Sequence, residues 1–286
     1  MIKENMNKKT IIFEMMAKGH HHNQYMYGCY KYYQKYLYKY YIDKTSLLVS
    51  YTKNICRDKI DIKKISYENS SIVIFFKFIY FFFSKKYNLV ISGAPTYFLI
   101  FPVVFFFYNK VDIHLHGQFF GSKNNMFKRF IWKIISSLQR LHLCCPFYKD
   151  KIQIKKCDEI LILPENTRNF YKKIVREGKR VGIIAGNKGR HNSKGLNFAN
   201  KLAKFGYEIV NFQKPRILEQ EWIEYKKFIL NLDYIFLNPT NDYYHYSPSG
   251  ALNDSYNFNI PLLSFSSNEY VKSLLAIKDL NIEFID

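Results

Sequence analysis

The chain has 286 residues, 48% of them hydrophobic, which is enough to fill real cores and excludes a disordered chain. A formal net charge of +20 invites a nucleic-acid partner. The lysines are nevertheless scattered among heavy Tyr, Phe, Ile and Asn use, without a helix-turn-helix or RNA-binding signature, so an anionic membrane surface or anionic substrate is expected instead.

In chain order, KTIIFEM reads as a strand, HNQYMYGCYKYYQKYLYKY as a helix, TSLLVSY as a second strand and Ser71 to Phe83 as an aromatic helix carrying Lys77. That helix is too short to span a bilayer; it reads as a core helix or as a face that touches lipid. Leu89 to Tyr108 is uncharged and long enough to cross a membrane. Gly93, Pro95 and Pro102 interrupt it, and a buried strand, a turn and a Pro-started helix account for it better. VDIHLHG is the next strand, followed by a basic helix near FKRFIWKIISSLQRLHL and the strand EILILP.

A polar, charged stretch from Pro164 to Arg180 then breaks the rhythm. It restarts with the strand VGIIAG, a helix from Ser193, the strand YEIVNF, the helix EQEWIEYKKFIL, the strand YIFLNPT, a helix from Ser249, the strand IPLLSF and the helix NEYVKSLLAI. Alternating strands and helices predict an α/β protein of two Rossmann-like domains, over residues 1–170 and 171–286, facing a central cleft, with the C-terminal domain short. In such sheets ligands bind beyond the carboxyl ends of the strands. The loops there contain GHHH, HLHG, GRHNSKG and YSPSG.

No Walker phosphate loop and no GxGxxG follows any strand, which argues against simple NTPase and dinucleotide oxidoreductase chemistry. Five cysteines without metal-ligand spacing, and no secretory signal, fit a reducing cytoplasm. In GRHNSKG, Arg190 offers a forked donor and Lys194 a point charge at a helix N-terminus, where an anion is favoured; a solvated basic turn is the plain alternative. Downstream, Ser247, Ser249 and Gly250 open a helix, with Ser249 a candidate N-cap and Gly250 permitting close approach of a ligand. Asp254 lies about one turn into that helix, as either an exposed carboxylate or an acceptor for two ribose hydroxyls.

The order of these features from Val181 to Phe265 resembles the donor domain of GT-B glycosyltransferases, especially the family-4-like group. The resemblance implies that Arg190 and Lys194 grip the diphosphate of a nucleotide-sugar donor, that the Ser249/Gly250 helix start assists them, and that Asp254 binds the ribose. Where that family has an E-x7-E pattern, this chain has Tyr246 and Asp254, with His245 and Ser247 as neighbours. His116, closing VDIHLHG, is similar to the histidine that approaches the donor sugar in that family, although a histidine at a strand end is often structural. His114 shares its strand face and is expected to lie deeper.

His20 and His21 in KGHHHNQYMYG are candidate proton acceptors beside the acceptor, with capping or packing as the alternative; consecutive histidines do not converge on one metal. A histidine base implies inversion, whereas the resemblance favours retention. The resemblance implies a glycosyltransferase that needs no cofactor and no divalent metal, because cations and helix dipoles stabilise the departing diphosphate. The expected acceptor is a glycan or lipid-linked glycan in bacterial surface polysaccharide synthesis, and the basic, aromatic-rich first domain fits peripheral contact with anionic lipid at the cytoplasmic face of the plasma membrane. A non-catalytic GT-B-like partner or membrane-surface scaffold is the competing reading.

Overall fold

The structure is a computed structural model that describes residues 8–18, 23–56, 58–105, 108–109, 111–115, 140–143, 157–159, 178–182, 199–212, 218–237, 250–267, 271–272, 275 and 280–285. The chain divides into two compact units, Met1–Asn166 and Thr167–Asp286.

Among the described residues, the first unit is built on a parallel sheet of seven strands: β1 (Thr10–Glu14), β2 (Leu37–Asp43), β3 (Ile65–Glu68), β4 (Asn88–Gly93), β5 (Val111–Leu115), β6 (Arg140–Leu143) and β7 (Cys157–Glu159). They lie in the order β3-β2-β1-β4-β5-β6-β7. The chain thus builds outward on one side of β1 and then returns to build outward on the other, leaving a switch point between β1 and β4. Every residue of β1 is buried, as expected of a strand covered on both faces.

Among the described residues, four α-helices accompany this sheet: α1 (Asn23–Tyr33), α2 (Leu48–Tyr51), α3 (Ser71–Ser84) and α4 (Ile100–Val104). α3 starts where Ser70 Oγ accepts a hydrogen bond from the Val73 N–H at 3.3 Å, and it ends at Lys85 in the left-handed region at φ 54°. Ile74, Phe78 and Phe82 form its buried stripe at helical spacing. Phe78 meets Phe13 of β1 edge-on at 5.4 Å between ring centroids, and Phe13 stacks on Tyr41 of β2 at 5.3 Å. Leu89 to Tyr108 folds as β4, a turn at Pro95, a 3-10 turn over Thr96–Leu99 and α4. Among the described residues no helix is long and apolar enough to cross a membrane.

The second unit carries five parallel strands among its described residues: β8 (Arg180–Gly182), β9 (Glu208–Val210), β10 (Tyr234–Phe236), β11 (Leu262–Phe265) and β12 (Ile282–Ile285). Their order is β12-β11-β10-β8-β9. Here the switch point lies between β8 and β10, which pair in parallel with Val181 opposite Tyr234 and Gly182 opposite Ile235. The helices of this unit include α5 (Leu218–Leu230) and α6 (Gly250–Phe258). Val181, Leu202, Phe236, Leu263 and Ile285 make its buried core.

Several local expectations are corrected. The tyrosine-rich run expected as one helix stops at Tyr33; after a tight turn in which Tyr36 N–H donates to Tyr33 O at 2.9 Å, Leu37–Asp43 forms β2. Tyrosine serves a strand at least as well as a helix, and an LYKYYID run buried between β1 and β3 shows no clean period. The segment expected as a strand, TSLLVSY, contains α2 and continues into a π-helical turn at Thr52–Cys56. RLHL, placed in a basic helix by its neighbours, is β6. The short strands β3 and β12 were not expected at all; both lie at sheet edges.

Candidate functional site

At the first unit's switch point, β1 ends in Glu14 and β4 ends in Gly93. Glu14 is fully buried. Its Oε1 accepts hydrogen bonds from the Met16 and Ala17 backbone N–H groups at 2.9 and 3.1 Å, and Oε2 accepts from Ser92 Oγ at 3.0 Å. The Tyr40 hydroxyl lies 3.3 Å from Ser92 Oγ and joins this buried polar cluster. Burial first, and then the nearby Cys29 thiol and Glu14 carboxylate, hold the Tyr40 phenol well above its ordinary pKa. Gly93 is required here because a Cβ would stand 2.3 Å from Glu14 Oε1. The carboxylate therefore fixes the first residues of the loop that leads towards His20 and His21.

β5 points His114 into the core, 2% exposed, as its strand face predicts. Its Nδ1 lies 2.5 Å from the Tyr25 hydroxyl and its Nε2 3.0 Å from the Tyr33 hydroxyl, both on α1. The Tyr33 ring stacks on the imidazole at 5.8 Å between centroids. A neutral imidazole satisfies both hydroxyls, donating at one nitrogen and accepting at the other. His114 is thus a tie between β5 and α1. Tyr33→Phe removes one of these bonds while keeping the ring, and should cost about 1 kcal/mol. Urea unfolding would register this as a lowered midpoint with an unchanged m-value.

Behind α1, Asp58 Oδ2 takes bonds from the Tyr27 hydroxyl at 2.7 Å and Lys31 Nζ at 2.9 Å. Burial opposes the Asp58 carboxylate, yet the bonds from Lys31 and Tyr27 hold its pKa below the usual range. Cys56 is buried, and burial raises its thiol pKa. Among the described residues, no group of three His, Cys, Asp or Glu side chains could hold a metal ion.

In the second unit, the chain leaves β8 at Gly182 and enters residues 183–198, which include Arg190 and Lys194. It leaves β10 through Leu237 into residues 238–249, which include Ser247 and Ser249. Because β8 and β10 are paired neighbours, these two segments depart from adjacent carboxyl ends at the switch point. Arg190, Lys194, Ser247 and Ser249 themselves lie outside the described residues, as do His20, His21 and His116. Gly250 is the first residue of α6.

Asp254, one turn into α6, is 3% exposed rather than an open surface carboxylate. Its Oδ2 accepts a hydrogen bond from the Tyr225 hydroxyl of α5 at 2.5 Å. Tyr225 is held edge-on by Trp222 at 5.6 Å and by Phe212 at 5.0 Å. Sequence reasoning missed Tyr225, Glu14 and Ser92. A tyrosine in EWIEYKKF carries no mark of its partner, whereas a lone acid ending the apolar strand TIIFE was a readable sign of a buried, fully bonded carboxylate.

No protein-family model matches the chain, and no curated protein matches it. Solved structures do. The chain is similar to a crystal structure of Anabaena Alr3699/HepE in complex with UDP, with a TM-score of 0.54 at 9% identity over 96% of this chain and 85% of that one. It is similar to the same protein in complex with UDP and glucose, with a TM-score of 0.55 at 8% identity over 97% of this chain and 86% of that one. The complex with UDP-glucose gives a TM-score of 0.53 at 8% identity, over 97% and 86%. At such identity the likeness is one of fold: this chain shares the architecture of a protein crystallised with UDP, with UDP and glucose, and with UDP-glucose.

Proposed function

We propose that the chain is a GT-B-type glycosyltransferase that takes a sugar from a uridine-diphosphate donor and passes it to a glycan or lipid-linked acceptor in bacterial surface polysaccharide synthesis. One observation carries the reading. The pairing of β8 with β10 sets their carboxyl ends side by side, and the sequence that follows them contains GRHNSKG and YSPSG, in a fold like that of a protein crystallised with UDP-glucose. Topology therefore supports a single anion site from two loops that the sequence separates by about fifty residues.

In this reading Arg190 and Lys194 hold the diphosphate through charge-assisted bonds, and the start of α6 at Gly250, behind Ser247 and Ser249, adds backbone N–H groups. As the glycosidic bond breaks, negative charge grows on the leaving diphosphate. The same cations stabilise that charge without a metal, so no cofactor is required. Asp254 accepts the ribose hydroxyls. His116 lies near the transferred sugar, and His20 or His21 takes the acceptor proton if the reaction inverts.

UDP is the test ligand. At a concentration near 100 times its dissociation constant it should stabilise the protein by roughly 2.7 kcal/mol, seen as a raised melting temperature. Arg190→Ala should abolish the shift; a full shift in that variant would remove Arg190 from the site. A non-catalytic GT-B-like partner is favoured by one observation, Tyr246 where the family pattern carries its first acid. That reading predicts UDP-glucose binding with no transfer and no hydrolysis.

A further inference from the structure

The aromatic helix α3 has two unlike faces. Ile74, Phe78 and Phe82 are buried against the sheet, whereas Ile72, Phe76, Tyr80 and Phe83 point to solvent. Spaced at i, i+4, i+8 and i+11, those four fall within about 80° of the helix circumference. Phe76 and Tyr80 are 64% and 72% exposed, which is unusual for rings of this size on one face. Beside them, Tyr97, Ile100, Val104 and Tyr108 are also exposed. Phe83 packs edge-on against Tyr108 at 4.8 Å between centroids and against Phe105 at 6.1 Å, so the two rows join into one surface. Contiguous apolar surface of this extent marks a contact site.

Charge identifies the occupant. Residues 71–110 contain no Asp or Glu, while they carry Lys77, Lys85, Lys86 and Lys110. Lys77, Lys85 and Lys86 are exposed, and Lys85 Nζ sits 4.4 Å above the Tyr108 ring at the edge of the apolar surface. Aromatic rings with lysines at their rim suit the boundary between acyl chains and anionic headgroups, where lysine stems lie along apolar surface and their heads reach phosphate. A second copy of this chain fits poorly. In a two-fold interface the same face meets itself, and these lysines would oppose lysines with no acid on the segment to pair them.

We propose that the outward face of α3, continued by Tyr97, Ile100, Val104 and Tyr108, docks the protein on the surface of an anionic lipid bilayer. The helix lies along the membrane rather than crossing it. The inference stands on these residues and does not require the donor-site reading; only its consequence, presenting a lipid-linked acceptor to the enzyme, rests on that reading.

Vesicle flotation of the full chain tests it. With phosphatidylcholine vesicles containing about 30% phosphatidylglycerol, the protein should float, and with phosphatidylcholine alone it should bind at least about tenfold more weakly. The Phe76→Ser/Tyr80→Ser variant should lose flotation while keeping its circular dichroism, its melting temperature and any UDP-induced shift. Lys85→Glu/Lys86→Glu should weaken binding to the anionic vesicles by roughly tenfold or more and leave the residual binding to neutral ones. The proposal is overturned if the wild-type chain stays at the bottom of the gradient, or if the double serine variant floats equally well. It is also overturned if light scattering shows a dimer that this variant turns into a monomer, since the face would then be a self-interface. Because the UDP shift is read on the same samples, loss of one property with retention of the other separates the two proposals.

Discussion

Glu14→Ala should destabilise the first unit by about 3–5 kcal/mol, among the largest effects expected of any single substitution here. The carboxylate is fully buried and accepts from two backbone N–H groups and from Ser92. Removing it leaves the Met16 and Ala17 N–H groups without their acceptor, while Ser92 Oγ can still turn to Phe13 O, and each buried orphan costs about 1–3 kcal/mol. It also leaves the void beside Gly93 that the carboxylate now fills. Glu14→Gln should cost less than half as much. Its amide oxygen can still accept from Met16 and Ala17, while its NH2 group can donate to Ser92 Oγ once the Ser92 hydroxyl turns to Phe13 O, 3.3 Å away. Chemical unfolding of the three proteins decides the matter. Equal losses in Ala and Gln would mean that the charge itself, not the hydrogen-bond pattern, holds the loop.

The placement of that carboxylate shows where sequence reading succeeds and where it fails. Long apolar runs with local punctuation were legible. The aromatic run from Ser71 to Phe83 is α3, and β4 followed by Pro95 gave the strand, turn and helix that an uncharged run of bilayer length concealed. His114, expected to lie deep on its strand, is buried, whereas His116 lies outside the described residues. Strands of three or four residues were not legible where their hydrogen bonds come only from a neighbour: β3 pairs with β2 and β12 with β11. Nothing within ISYE or IEFI specifies that register. β2 failed for another reason. Its tyrosines suit helix and strand alike, and the turn before it contains no Gly or Pro.

The same limit applies to the candidate site. Asp254 could be chosen from its position on a helix, but its partner could not, because Tyr225 reaches it from a different helix 29 residues away in sequence. A pair of this kind is fixed by the packing of α5 beside α6, which sequence periodicity describes only one helix at a time.

That pair supplies the second strong prediction, because a carboxylate 3% exposed and already bonded to a phenol can serve either of two purposes. If it only ties α5 to α6, Asp254→Ala lowers the melting temperature of the free protein and leaves the UDP-induced shift intact. If it also receives the ribose, the same change removes charge-assisted hydrogen bonds worth about 1.5–3 kcal/mol each. A loss of about 3 kcal/mol raises the UDP dissociation constant roughly 150-fold. At a UDP concentration that gave the parent roughly 2.7 kcal/mol, the variant would retain only about 0.3 kcal/mol. We expect the second outcome, with each shift measured against the variant's own ligand-free baseline so that lost stability is not mistaken for lost binding. Tyr225→Phe then separates positioning from contact. It keeps the ring among Trp222 and Phe212 and removes only the hydroxyl, so it should cost about 1 kcal/mol of stability and weaken UDP by roughly five- to tenfold. A UDP affinity unchanged in Tyr225→Phe but lost in Asp254→Ala would show that the carboxylate finds the ribose without help from α5. An affinity unchanged in both would return Asp254 to the core of the second unit and leave UDP recognition to the two loops rooted at β8 and β10.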